Sequence, residues 1–212
     1  MTRRQASPAS IDDVLARIGE QKLVAVVRSQ GWAQALQTSR ALLESGQNIL
    51  EVTYTTPEAS RVISTLKAEV SSDVLIGAGT ICSAHEARAA ADSGADFLVS
   101  PGSPPPLLEA MLATELLVLP GVMTPTEIID ARAQGVAAVK LFPASLIGPS
   151  GLAILRGPFP DLAFIPTGGI TMDDVDAWLD AGAHAVGLGN SLRASEETGS
   201  SSVPNRAARP RP

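Results

Sequence analysis

Lys140 stands in the run "AAVKLFPAS", with Ala138 and Val139 on one side and Leu141 and Phe142 on the other. An ammonium in so apolar a stretch loses hydration that only a partner can replace. A lysine stripped of water also gives up its proton more readily, and the free amine attacks a carbonyl carbon to form a Schiff base. The resulting iminium withdraws electrons, so a C–C bond one carbon further out can break. That step needs a proton carrier, and Glu51 in the apolar run "NILEVTY" is the obvious acid/base. Arg28 at the end of "KLVAVVR" offers a fork for a carboxylate, with the hydroxyl of Thr80 in "DVLIGAGT" as a second contact. Thr53 and Ser100 end two of these runs as well. The plainer account of Lys140 and Glu51 is a buried structural ion pair. The polar residues that end on the same rim weigh against it.

Two glycine-rich turns add a second kind of chemistry. "PTGGI" (166–170) and "GLGNS" (187–191) can present backbone N–H groups to a phosphate, with Gly168, Gly169, Gly189, Asn190 and Ser191 as the donors. Other reactive types are discounted. His85 opens a helix and faces solvent, and His184 opens the last strand at its far end. Neither has a partner at ligand spacing, so no metal is expected. Cys82 reads as a buried spectator, and Trp32 and Trp178 as packing residues on helices.

These residues act together only if the fold gathers them. Short apolar runs recur along the chain at 22–28, 48–54, 73–80, 96–102, 116–122, 137–143, 162–169 and 184–189. Helical stretches at 33–46, 57–69, 83–95 and 124–135 lie between them, several ending in glycine (Gly46, Gly94, Gly135, Gly182). "SPPPLLEA" (103–110) starts another helix. Strands apolar on both faces and alternating with helices indicate a parallel sheet covered by helices, and eight of them fit a (β/α)8 barrel. A doubly wound sheet would want a glycine fingerprint after its first strand, which "VVRSQGWAQA" lacks. In a barrel, catalytic groups sit at the C-terminal ends of the strands. Strand alternation then turns Ile49, Glu51 and Thr53 to one side, and Ala138, Lys140 and Phe142 together in the sixth strand. With those sides inward, Glu51 and Lys140 meet in one pocket.

Residues 10–20 read as a short helix under the first strand, with Ser10 as N-cap. One domain is expected over 10–193, with disordered ends at 1–9 and 194–212 and the last barrel helix missing or very short. That loss should leave an apolar strip beside strands 8 and 1 open or covered by a neighbouring subunit. The net charge of −6 and the lack of a long basic run argue against nucleic-acid binding. No apolar stretch is long enough for a membrane span or a signal peptide, so a cytoplasmic protein is expected. The single cysteine excludes an intrachain disulfide.

The motifs "LEVTYTTPEA", "IGAGT", "VSPG", "LPGVMTPTE", "VKLFPAS", "GPFPDLAFIPTGGI" and "VGLGNSL" follow one another over roughly residues 12 to 192. In that order they resemble the class I 2-keto-3-deoxy-6-phosphogluconate (KDPG) / 4-hydroxy-2-oxoglutarate (KHG) aldolases. The resemblance implies a homotrimeric barrel that needs no metal or cofactor. It also implies cleavage of KDPG, a phosphorylated keto acid, to pyruvate and D-glyceraldehyde 3-phosphate in the Entner–Doudoroff route. Lys140 matches the Schiff-base lysine, Glu51 the acid/base, Thr80 a pyruvate-site residue and Arg28 a carboxylate-binding arginine. Thr53 and Phe142 complete the expected pyruvate site, and Gly168, Gly169 and Ser191 match the phosphate cradle. Two positions depart: Thr55 stands where many members have the arginine of "EVTLRT", and Ser145 makes "FPAS" of "FPAE". The second change also occurs in the group holding the galactonate-pathway aldolases. Three alternatives stand beside KDPG cleavage: the galactonate epimer as substrate, a phosphate-binding isomerase or synthase without a Schiff base, and a non-catalytic truncated barrel.

Overall fold

Pro120 divides one expected strand in two, and the division falls beside Lys140. In the computed structural model, which describes residues 10–189, the strands are β1 (Leu23–Val27), β2 (Ile49–Thr53), β3 (Leu75–Gly79), β4 (Phe97–Val99), β5 (Leu117–Leu119), β6 (Gly121–Val122), β7 (Ala138–Leu141), β8 (Ala163–Pro166) and β9 (Val186–Leu188). The run expected at 116–122 is thus β5 and β6. Proline has no N–H to give a ladder, so pairing stops there. Its carbonyl still accepts from the Lys140 N–H at 2.9 Å. The helices are α1 (Ile11–Gln21), α2 (Trp32–Glu44), α3 (Ala59–Glu69), α4 (Ala84–Asp92), α5 (Pro105–Leu112), α6 (Pro125–Ala133), α7 (Gly148–Arg156) and α8 (Val175–Asp180).

Among the described residues every strand pairing is parallel, in the orders β5-β4-β3-β2-β1-β9 and β6-β7-β8. A bridge between Thr167 and Gly187 joins the β8 end to β9. The His184 N–H donates to the Phe164 carbonyl across the same seam, at 2.8 Å. The sheet therefore curls round until its ends meet, an α/β arrangement that fits a barrel.

Strand alternation divides the core into two layers. Leu50, Val52, Ile76, Ala78, Leu98 and Val139 point outward into the layer beneath the helices. Val24, Ile49, Leu75, Phe97, Leu117, Ala138 and Ile165 point inward. Val14 and Ile18 of α1 join the inner cluster and plug one end. Ser10 caps that helix by accepting from the Asp13 N–H at 3.1 Å, as its sequence position predicts. The His184 ring also sits at this end, its Nε2 2.9 Å from the Leu15 carbonyl. Gly19 leaves the room it needs, since a Cβ there would overlap the imidazole.

Two expectations need correction. The strip beside the last and first strands is not open: Leu23, Ala25, Val186 and Leu188 are all buried, and among the described residues α2 packs on β1 and α8 on β9. Cys82 is exposed rather than buried, lying on the loop before α4. Partial desolvation, with Glu86 nearby, raises its thiol pKa, so exposure does not make it a ready thiolate. The expected disordered ends and the missing last helix fall outside the described residues. Among those described, no helix is long and apolar enough to cross a membrane.

Helix α6 follows β6 directly and is fixed by a capping box. The Thr124 hydroxyl accepts from the Glu127 N–H, while the Glu127 carboxylate accepts from the Met123 and Thr124 N–H groups, both at 2.8 Å. Those bonds, Met123's first, hold the Glu127 carboxyl below its ordinary value of 4.5. A carboxyl lowered by folding stabilises above its unfolded pKa, and the gain is lost as pH falls through the folded value. Thr124→Ala should cost about 1 kcal/mol in urea unfolding at neutral pH. The stability gap between the parent and Glu127→Gln should close on acidification; a gap independent of pH would contradict this account.

Candidate active site

Glu51 in the middle of β2 and Lys140 in β7 both project inward, one layer above Ile49 and Ala138. Their side chains are 3 % and 7 % exposed, and Lys140 Nζ lies 3.7 Å from Glu51 Oε1. That separation is ionic contact but too long for a hydrogen bond. Glu51 Oε1 is buried without a hydrogen-bond partner among the described residues. Such an acceptor is costly to retain and calls for an explanation. The ammonium also lies 5.1 Å from the centroid of the Phe142 ring, within cation–π range. Beneath the pair, Ile49, Phe97, Ala138 and Ile165 form an apolar floor.

Arg28 and Thr80 stand at the rim, on the loops leaving β1 and β3. Arg28 is exposed, and its Nη2 donates to Thr80 Oγ1 at 3.3 Å. Thr80 has φ +57°, a left-handed conformation that a β-branched residue adopts only at a cost of about 1–3 kcal/mol. Strain of this kind gathers where a side chain must be aimed. Thr53 is fully buried, and its hydroxyl donates to the Val27 carbonyl at 3.3 Å and contacts Thr55 Oγ1 at 3.0 Å. Thr56 Oγ1 lies 3.4 Å from Thr53 and accepts from the Ser29 N–H at 3.1 Å. These hydroxyls tie the top of β2 to β1. Thr55 itself is exposed. Ser100 is occupied at a turn, where it donates to the Gly102 carbonyl at 2.7 Å.

Gly168 and Gly169 end β8 with φ of +97° and +73°, which admits little but glycine. Their loop is laced to the turn after β7: Ala144 N–H donates to the Thr167 carbonyl and Ser145 N–H to the Gly168 carbonyl, each at 3.0 Å. A Cβ on Gly168 would crowd the Phe142 ring at 2.9 Å, and one on Gly169 would meet Ser145 Oγ. Gly189 follows β9 and is half-buried. Asn190 and Ser191 lie outside the described residues. Sequence reading passed over Thr167, a buried hydroxyl on the inward side of β8, two positions beyond Ile165. The alternation of Ile165 and Thr167 was the available signal. Among the described residues, no group of three or more His, Cys, Asp or Glu could hold a metal ion.

Residues 14–203 match the family model for KDPG and KHG aldolase. The chain belongs to that family. It is accordingly an aldolase, a lyase that breaks a carbon–carbon bond. It is 33 % identical over 174 residues to the probable 2-dehydro-3-deoxy-6-phosphogalactonate aldolase of Rhizobium meliloti, covering 82 % of each chain. It is 36 % identical over 168 residues to the 2-dehydro-3-deoxy-phosphogluconate aldolase of Pseudomonas aeruginosa, covering 79 % of this chain and 75 % of that one. Among solved structures, Legionella pneumophila KDPG aldolase with pyruvate captured at low pH as a covalent carbinolamine superposes with a TM-score of 0.79. That pair is 29 % identical, over 91 % of this chain and 95 % of the other.

For this aldolase the buried pair has a thermodynamic signature. Lys140→Met alone strands the Glu51 charge and should destabilise by about 3–5 kcal/mol. The double variant Lys140→Met/Glu51→Gln removes both charges and should be more stable in urea than Lys140→Met alone. A double variant less stable than Lys140→Met alone would contradict the pairing.

Proposed function

We propose that this aldolase cleaves 2-keto-3-deoxy-6-phosphogluconate to pyruvate and D-glyceraldehyde 3-phosphate through a Schiff base on Lys140, with Glu51 carrying the protons. The observation that carries the reading is the buried amine 3.7 Å from an unbonded carboxylate oxygen above an apolar floor. The covalent carbinolamine named for the Legionella relative supports it.

In this reading the uncharged Lys140 amine adds to the C2 keto carbon of the substrate. The carbinolamine then loses water to give the iminium. Glu51 takes the proton from the C4 hydroxyl, and the C3–C4 bond breaks with its electrons moving onto the iminium as an enamine. The aldehyde leaves from C4. Glu51 returns its proton to C3, and water hydrolyses the pyruvyl iminium to free the lysine. An acceptor oxygen without a protein partner suits a group that must exchange a proton with the substrate. Arg28 and Thr80 hold the substrate carboxylate, and Thr53 and Phe142 shape the pyruvate end. The phosphate lies against Gly168, Gly169 and Gly189, with Asn190 and Ser191 completing its cradle. The reading requires no cofactor. It carries a single (β/α)8 barrel domain over residues 10–193, working as a homotrimer in the cytoplasm.

A second reading keeps the mechanism and changes the epimer. The Rhizobium relative is named for the galactonate substrate, and Ser145 touches the Gly169 loop where the substrate's distal end would lie. Cleavage of 4-hydroxy-2-oxoglutarate to pyruvate and glyoxylate is a third activity of the same site.

Incubation with pyruvate and borohydride, followed by intact mass and peptide mapping, tests the chemistry. A reduced pyruvyl adduct is expected on the peptide holding Lys140 and absent from Lys140→Ala; a folded parent without it overturns the mechanism. Glu51→Gln should keep the adduct but slow turnover by at least about 10²-fold. Comparing kcat/KM for the two epimers and hydroxy-oxoglutarate then decides the substrate, with the gluconate epimer expected highest.

A further inference from the structure

Two glycines, Gly77 and Gly79, occupy the inward side of β3 beyond Leu75, so that wall presents no side chain at the height of the reacting pair. Gly77 pairs with Glu51 across the β2–β3 ladder, and Gly79 pairs with Thr53. A Cβ built on Gly77 would overlap the Phe97 ring, which fills that level of the floor. At Gly79 the occupant is different. The three atoms nearest a Cβ there are Glu51 Oε1, Cδ and Cγ, all at overlapping distance. The Glu51 side chain is thus laid along β3 towards its C-terminal end, in the space a side chain at 79 would fill. Its Oε1, so placed, faces Lys140 Nζ and has no hydrogen bond to fix it among the described residues. Contact with the bare backbone of Gly79 and the pull of the ammonium bear on where that oxygen sits.

We propose that Gly79 is a positioning residue for the reaction: its missing side chain creates the slot that holds the Glu51 carboxylate against Lys140. This glycine is not required by backbone conformation. Gly79 is an ordinary strand residue outside the left-handed region, so alanine suits the backbone and its methyl group meets Glu51 alone among its nearest atoms. The inference rests on Glu51 acting as the proton carrier.

Gly79→Ala, Glu51→Gln and the double variant, compared in steady-state cleavage and pyruvate–borohydride trapping, make the test. Gly79→Ala should lower kcat by about 10²-fold, the scale of an ångström-level displacement of a reacting group. The adduct on Lys140 should persist. In the Glu51→Gln background the same substitution should cost no more than about twofold, because both changes remove one function. A Gly79→Ala enzyme with the parent's kcat overturns the proposal, and so do losses that multiply in the double variant. Glu51→Gln turning over at the parent's rate would overturn the role of Glu51, and that of Gly79 with it. A slow Glu51→Gln beside a fast Gly79→Ala would overturn Gly79's role alone. If Gly79→Ala fails to fold, Gly79→Ala/Glu51→Ala should recover the parent's far-UV circular dichroism, since the occupant of the slot is gone. Failure of that pair to fold would overturn the proposal too.

Discussion

A carboxylate and an ammonium placed close together without a hydrogen bond, in a largely apolar interior, are the constraint that the rest of the molecule serves. Removing two charges from water is expensive, and the mutual attraction of Glu51 and Lys140 recovers the cost only in part when the geometry is loose. A fold designed for stability alone would tighten that contact or replace it with aliphatic side chains. Here the looseness persists, and it leaves a carboxylate and an amine that are not locked to each other.

Parallel strands make the arrangement possible because alternation is strict. Leu50 and Val52 secure β2 to the helices on one side while Glu51 and Thr53 face inward on the other. The same logic lets Val139 and Leu141 anchor β7 on either side of Lys140. A register slip of one residue would send both charges into the aliphatic layer, so the pairing of β1, β2 and β3 on one side and of β7 and β8 on the other is specified by its penalty.

Much of this was legible in the sequence. The inward faces of β2 and β7 followed from period-two alternation around Glu51 and Lys140, and the Ser10 cap from its spacing to Asp13. The break at Pro120 could have been read from the missing N–H of proline, but the run 116–122 is apolar throughout and hydropathy hid it. Cys82 misled because small sulfur residues are usually buried, whereas its position on the loop before a helix start governs its exposure. The covered outer face of β1 and β9 depends on where α2 and α8 settle, a tertiary fact that local pattern does not contain. The unfilled inward wall of β3 was visible as "GAG", yet alternate glycines say only that something else needs the space.

The interruption at Pro120 also divides the hydrogen-bonded sheet. Arg28, Glu51 and Thr80 belong to the six-stranded part and the loops that leave it, while Lys140 and the Gly168–Gly169 turn belong to the three-stranded part. The two parts are joined by the Thr167–Gly187 bridge, the His184 amide bond, the covalent step through Pro120 and the Lys140 N–H on the Pro120 carbonyl. Amine and carboxylate therefore sit on different parts, and the Lys140 amide, bonded to the Pro120 carbonyl, is itself one of the ties between them. Between them lies the inner stack of Ile49, Phe97, Ala138 and Ile165, so side-chain volume as well as backbone pairing bears on the distance at which this enzyme holds its two charges.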